Sequence, residues 1–203
     1  MDELKKTKEL VRQYLEKKYP DAQFSDIDLD FLVRYSVRKE PSANTILKSI
    51  GADIQTEQAY YNAHPAVKAA KDDLQYIYGR FTQKQKDYKN AFNGSFEVFL
   101  AWWCEKTPEN GIRRCCYCGI DENTLKDTFE NGLVISKKPS FSGELQIERK
   151  NPNGNYCNCE FACVICNNAK SDMISAENFT KFFVPGIKEY WAYIEKKIKP
   201  KNS

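Results

Sequence analysis

The sequence has little histidine and methionine and no long apolar run. Among 203 residues there are one histidine, His64, and two methionines, and the longest apolar stretch covers only residues 98–104. A membrane-spanning helix needs roughly 20 apolar residues. The first residues of the chain are charged where a signal peptide would be apolar. These absences predict a cytoplasmic protein that has no membrane partner.

One-sided charge, flexible linkers and internal repeats are also missing. The 31 Lys and Arg residues against 28 Asp and Glu residues give a net charge of +3, which by itself supports a polyanionic partner only slightly. A composition that is 41% hydrophobic and 29% charged excludes a disordered chain. The length allows one large domain or two small ones, each with its own core.

The first hundred or so residues have the start and stop signals of helices. Ser25 and Asp28 form a capping-box pattern, Pro65 suits a first helical turn, and Ser95 is a predicted N-cap. After a first helix that ends near residue 20, helices are predicted over residues 26–40, 42–50, 65–79, 82–92 and 96–106. The loop at 108–111 predicts a boundary between a helical scaffold or protein-partner region, residues 1–110, and a second domain, residues 111–203.

Seven of the eight cysteines lie between residues 115 and 166. Cys115 and Cys118 form one C-x-x-C pair and Cys163 and Cys166 form another, with 44 residues between the pairs. Two such pairs are typical of a closed, structural four-thiolate zinc site. Buried free thiols or a redox C-x-x-C are the alternatives. The sequence does not assign Cys104, Cys116, Cys157 and Cys159. Cys157 and Cys159 form a C-x-C that could join a second metal site or replace one ligand of the pairs, although packing as apolar groups is favoured.

The segment between the two cysteine pairs has the pattern of a hairpin followed by a helix. Residues 145–149 alternate apolar and polar, residues 151–155 are turn-formers, and residues 158–163 can form the returning strand. Asn167 directly follows the second pair and can open a helix. After Ser175, aromatic residues at helical spacing predict C-terminal helices. The order predicts an α+β chain in which zinc clamps the ends of a ββα unit.

Residues 113–180 resemble the zinc-bound HNH, or His-Me finger, endonucleases of the endonuclease VII-like type. The match consists of the following residues, in order: Cys115, Cys118, Gly119, Glu148, Arg149, Gly154, Tyr156, Asn158, Cys163, Cys166, Asn167 and Lys170. The resemblance implies a treble-clef-like ββα-metal finger that follows the helical N-terminal region. It also implies structural zinc (Zn²⁺) and hydrolysis of phosphodiester bonds.

The resemblance further implies a catalytic Mg²⁺ or Mn²⁺ held by Glu148 and Asn167, with Asn158 orienting the loop. Oxygen ligands of this kind suit magnesium. DNA is favoured over RNA as the substrate. The resemblance also implies a phage-related protein or an anti-phage defence effector. Because such effectors resemble proteins under the control of a partner, a protein partner at the helical region is expected.

Arg149 departs from the family pattern, because the family has its general-base histidine at this position. Arginine cannot accept a proton near neutral pH, and His64 lies in the helical region, where a structural role is expected. Three interpretations stay open: an active variant in which Arg149 contacts phosphate, an inactive module that binds nucleic acid, and a structural zinc fold that binds a protein. Candidate substitute bases or transition-state contacts are Glu144, Lys150 and Tyr156.

Positive residues surround the predicted site in the sequence and are expected to contact the phosphate backbone, which positions a duplex without reading its bases. The predicted nucleic-acid contacts are Arg113, Arg114, Lys150 and Lys170, with Arg149, Lys137 and Lys138 nearby.

Overall fold

The computed structural model describes residues 3–88, 90–135, 143–151 and 158–198. The chain divides into two compact units, Met1–Gly111 and Ile112–Ser203. Helices build the first unit, whereas the second combines helices with a two-stranded sheet. The architecture confirms the predicted α+β class. Within the described ranges, no helix has both the length and the apolar character that a membrane crossing requires.

The first unit contains six α-helices among its described residues. They are α1 (Glu3–Lys18), α2 (Asp26–Leu32), α3 (Ala43–Ser49), α4 (Glu57–Ala63), α5 (Pro65–Asp87) and α6 (Phe96–Glu105). Helix α2 continues into a π-helical turn, Val33–Val37. Polar N-caps fix several starts, because the side chains of Ser25, Ser42 and Ser95 each accept a hydrogen bond from the first turn.

Large apolar side chains fill the interior of the first unit. Phe31, Leu74, Phe99 and Trp103 are all buried, on α2, α5 and α6. Asp28, also buried, completes the predicted capping box with Ser25. Its second oxygen accepts a hydrogen bond from the Tyr60 hydroxyl at 2.6 Å, so the polar group has partners in the core.

The second unit begins with a turn that contains Cys115 and Cys118, which we call the cysteine turn. One helix, a two-stranded hairpin and three further helices follow it. Its elements are α7 (Glu122–Glu130), β1 (Gln146–Arg149), β2 (Cys159–Ala162), α8 (Val164–Lys170), α9 (Ala176–Phe182) and α10 (Val184–Glu195). The strands are antiparallel, with the pairs Gln146 and Ala162, Ile147 and Phe161, Glu148 and Glu160, and Arg149 and Cys159. The predicted order of strand, strand and helix is therefore present.

Several element boundaries differ from those predicted. Helices α4 and α7 were not predicted, and α5 runs through Gly79 as one helix instead of two. Helix α8 begins at Val164, not at Asn167, because the Cys163 side chain caps it. Asn167 therefore lies within α8, and the expectation that it opens the helix is wrong.

Candidate metal centre and strand–helix face

The first cysteine pair lies in a tight turn that precedes α7. The Gly119 N–H donates to the Cys115 carbonyl at 3.0 Å, and Gly119 has φ +82°, a conformation that favours glycine. The Cys116 N–H donates to the Phe161 carbonyl at 2.8 Å, which ties the turn to β2. Cys115 and Cys118 are both buried, so the turn directs both thiols inward.

The second cysteine pair forms the start of α8. Cys163 is its N-cap, and the Cys163 Sγ accepts a hydrogen bond from the Cys166 N–H at 3.4 Å. Both residues are completely buried. One residue thus starts the helix and supplies a thiol.

The four thiols of the two pairs converge on one point. The Sγ atoms of Cys115, Cys118, Cys163 and Cys166 all lie within 4.8 Å of one another. Zinc–sulfur bonds of about 2.3 Å give a tetrahedron with edges of about 3.8 Å, and the Sγ atoms of Cys118 and Cys163 are 3.7 Å apart. Hydrogen bonds among the four thiols lower the pKa of Cys115 and raise the pKa values of Cys163 and Cys166, as contacts within one cluster do. The cluster fits a closed structural zinc site.

The other cysteines do not extend this cluster. Cys104 is buried on α6 and Cys159 is buried on β2, whereas Cys116 is exposed. Cys157 lies outside the described residues. The part of the chain that the structure describes contains no second group of metal-ligating side chains of this kind.

Glu148 is buried in β1 although it is a carboxylate. Its exposed fraction is 6%, and its Oε1 atom accepts hydrogen bonds from Lys170 Nζ at 2.8 Å and from the Tyr117 hydroxyl at 3.4 Å. Burial, reinforced by nearby negative charge, raises the pKa of Tyr117, so its hydroxyl stays protonated and donates. Among the described residues, no donor contacts Oε2. Two donors therefore hold one carboxylate oxygen in place.

A second contact joins β1 to α8 beside the first one. Asn167 Nδ2 donates to Gln146 Oε1 at 2.5 Å. Gln146 and Glu148 share one face of β1 because they are two residues apart, and Asn167 and Lys170 share one face of α8 because they are three apart. These four residues form what we call the strand–helix face, and it brings Glu148 and Asn167 to the same interface.

The oxygen atoms of this face fit a hard divalent cation. With its amide nitrogen bonded to Gln146, Asn167 has an Oδ1 atom to which no described residue donates. Carboxylate and amide oxygens are ligands that Mg²⁺ and Mn²⁺ accept. The donor set therefore fits such an ion, and the opposing feature is the Lys170 ammonium that already contacts Glu148.

Three residues of this region were not identified from the sequence: Tyr117, Gln146 and Glu160. Glu160 lies directly opposite Glu148 in the ladder, so both carboxylates leave the sheet on the same side. Lys150 Nζ lies 3.7 Å from Glu160 Oε1. Counting the strand register back from the predicted turn could have found Glu160, whereas no sequence signal distinguishes Tyr117 from an ordinary residue of the cysteine turn.

The remaining predicted catalytic residues lie around the hairpin. Arg149 is half-buried and pairs with Cys159 in the ladder; as the neighbour of Glu148 it leaves the strand on the opposite side. Asn158 is exposed immediately before β2. Of the proposed substitute bases, Glu144 and Lys150 are exposed and Tyr156 lies outside the described residues.

The predicted phosphate contacts differ in their exposure and in their partners. Arg114 and Lys150 are exposed, whereas Arg113 is bonded to Glu122 and its guanidinium lies over the Phe161 ring. Lys170 is 0% exposed, which contradicts its predicted position on a phosphate-contacting surface. The physical reason is its ion pair with Glu148. Lys137 and Lys138 lie outside the described residues.

His64, the single histidine, belongs to the first unit. Its ring stacks on Tyr60 with 4.5 Å between the centroids, and its Nδ1 lies 3.8 Å from Asp28 Oδ1. His64 thus packs beside the capping box, which fits the structural role that the sequence predicted.

Comparison with known proteins gives one distant likeness. No protein-family model matches the chain, and no curated protein matches it. A solved structure of the rare-cutting HNH restriction endonuclease PacI, described as perturbing DNA, is similar at 23% identity with a TM-score of 0.46. The match covers 61% of this chain and 81% of that chain. A likeness of this strength establishes neither a fold nor an activity.

Proposed function

We propose that the Ile112–Ser203 unit is a zinc-stabilised HNH-type finger that hydrolyses phosphodiester bonds of nucleic acid, DNA in preference to RNA, with Mg²⁺ or Mn²⁺. One observation carries the proposal: Glu148 on β1 and Asn167 on α8 belong to the two elements that contact each other at the strand–helix face, and Cys163 and Cys166 lie at the start of α8. A closed thiolate cluster and a separate set of oxygen ligands in one unit suit one structural and one catalytic metal.

Each residue of the site has a proposed role. Glu148 and Asn167 would hold the divalent ion, which would offset the negative charge that develops on the phosphate. Arg149 contacts the phosphate and Asn158 orients the hairpin loop. Exposed Arg114 and Lys150 contact the backbone of the nucleic acid, and the helical unit, Met1–Gly111, offers a surface for a protein partner.

The proposed reaction does not use a histidine base from this finger. Arg149 cannot accept a proton, and Tyr117 stays protonated because burial raises its pKa. Loss of a general base typically costs about 100-fold to 10,000-fold in rate. Positive charge near the phosphate offsets part of this loss, since stabilisation of developing charge is usually a large catalytic contribution. We therefore expect slow cleavage.

Cleavage of supercoiled DNA, single-stranded DNA and RNA with Mg²⁺ or Mn²⁺ tests the proposal. Glu148→Ala and Asn167→Ala should each reduce the rate by about 100-fold or more, while Glu189→Ala, which removes an exposed acid on α10, should leave it unchanged. Arg149→His should increase the rate. Equal rates for wild type and Glu148→Ala would contradict the metal site.

A catalytically inactive finger that binds nucleic acid or a protein is the second candidate. The ion pair between Lys170 and Glu148 favours it, because the ammonium already neutralises the carboxylate. In that case DNA binding should persist without divalent metal and should be indifferent to Glu148→Ala. No cleavage by wild type or by Arg149→His, together with such binding, would select this candidate.

A further inference from the structure

Lys170 places a positive charge beside Glu148, the carboxylate at which a divalent cation would bind. Its ammonium is 0% exposed and lies 2.8 Å from Glu148 Oε1, and it also donates to the Ser171 carbonyl at 3.1 Å. Ser171 has φ +50° and ψ −159°, a backbone conformation that residues other than glycine rarely adopt. The strained Ser171 directs its carbonyl oxygen to the Lys170 ammonium, so the end of α8 supplies a second partner for this charge.

Two carboxylates and two ammonium groups lie together at the strand–helix face. Glu148 is buried and Glu160 lies directly opposite it on β2, so two carboxylates leave the sheet on one side. Like charges opposite one another in a ladder are destabilising, and a buried carboxylate without a partner is strongly so. Lys170 contacts the first carboxylate and Lys150, at 3.7 Å, lies beside the second.

We propose that Lys170 is an internal counter-cation of Glu148 that lowers the affinity of this carboxylate for a divalent metal, because ammonium and metal would share the negative charge of one carboxylate. The inference rests on the proposed function in one respect, namely that Glu148 is the metal-binding carboxylate. Its consequence is a chain that folds without the divalent ion and binds it weakly until a phosphate supplies further negative charge. Lys170 is thus a positioning residue that sets the cation affinity of the site.

Cation binding to variants of Lys170 tests the proposal without any use of activity. The affinity for Mn²⁺ is measured on the zinc-loaded full chain by electron paramagnetic resonance. Lys170→Met and Lys170→Gln should each bind Mn²⁺ about tenfold more tightly than wild type, because a positive charge close to the ion is removed. Lys170→Arg keeps the charge and should bind Mn²⁺ as weakly as wild type. A residue with only a structural role would lower the affinity when it is lost.

Thermal unfolding supplies the second readout. Lys170→Met leaves a buried carboxylate unpaired and should unfold at a lower temperature than wild type, and Mn²⁺ should raise that temperature more than it does for wild type. The double variant Glu148→Gln, Lys170→Met should not respond to Mn²⁺. If Lys170→Met does not fold in the absence of the ion, refolding in Mn²⁺ must recover it.

The outcomes separate this inference from the proposed function. Affinities for Mn²⁺ that are equal in wild type and Lys170→Gln, or lower in the variant, would overturn the inference even if the chain cleaves DNA. Tighter binding in the variant that is lost with Glu148→Gln would support the inference even if no nucleic acid is cleaved. Failure of Mn²⁺ to rescue Lys170→Met in either unfolding or refolding would also overturn it.

Discussion

Arg113 and Arg114 are neighbours in the sequence, yet only one of them is available to a ligand. The Arg113 guanidinium contacts Glu122 at 2.5 Å and 2.8 Å and lies 5.0 Å from the Phe161 ring centre, and its side chain is 13% exposed. The Arg114 side chain is 58% exposed, with Asp121 at 3.9 Å. Arg113 therefore joins the start of the unit to α7 and β2, whereas Arg114 is a surface charge.

Alanine substitutions should separate these two roles. Arg113→Ala should lower the free energy of unfolding by about 1.5–3 kcal/mol, because hydrogen bonds between charged groups are lost in a mostly buried setting. Arg114→Ala should change it by less than about 0.5 kcal/mol, and should reduce the slope of log binding constant against log salt by about 0.9 for duplex DNA. Urea unfolding and salt-dependent DNA binding measure the two effects. Equal destabilisation by both variants would contradict this division.

The pattern of basic residues shows why the sequence alone could not assign them. Both arginines and Lys170 lie near a cysteine pair in the chain, and nothing in the spacing distinguishes a surface charge from a buried one. The burial of Lys170 depends on Glu148, which is 22 positions earlier on another element. By contrast, the cysteine set was predictable, because thiol chemistry and the C-x-x-C spacing together define which four side chains converge.

At the level of elements, helix α5 is continuous across a glycine that the sequence suggested would end it. Leu74, Ile77 and Phe81 are buried on one side of the helix, and this packing continues on both sides of Gly79. Glycine in a helix interior costs roughly 0.5–1 kcal/mol relative to alanine, which tertiary packing offsets. Helices α4 and α7 each have a single residue as their start signal, Thr56 and Asp121. One such residue predicts a helix only when the packing of the helix against a core is also known, and the sequence does not show that packing.

Gly79→Ala should stabilise the first unit by about 0.5–1 kcal/mol. Gly79 is exposed and has an ordinary helical conformation, and its new Cβ would meet nothing within 4 Å apart from its chain neighbours and the backbone of its own helix. The matched control is Gly111→Ala, where φ is +67° and the Cβ would lie 2.7 Å from the Lys17 carbonyl oxygen. Chemical denaturation of both variants should give shifts of opposite sign. A loss of stability in Gly79→Ala would show that packing at this position requires glycine.

On the scale of the whole molecule, the two units differ in what stabilises them. The Met1–Gly111 unit has a core of large apolar and aromatic side chains, among them Phe31, Phe99 and Trp103. The described part of the Ile112–Ser203 unit has short strands of four residues each, and a hairpin of this size is marginal without further support. The convergent thiols supply that support if zinc binds, because binding energy at a structural site is folding energy.

Zinc removal should therefore unfold one unit and leave the other folded. Intact-mass measurement under native conditions should find about one zinc per chain, and a strong chelator should expose amides of Ile112–Ser203 to hydrogen exchange while those of α1 to α6 remain protected. Cys163→Ser separates the two functions of that residue, since serine still caps α8 but no longer offers a thiolate. It should give the same loss of protection as the chelator, whereas Cys104→Ala, at a buried thiol of α6, should retain zinc. Protection of both units without zinc would show that the four thiols are packing groups, and the metal-clamped finger would then be wrong.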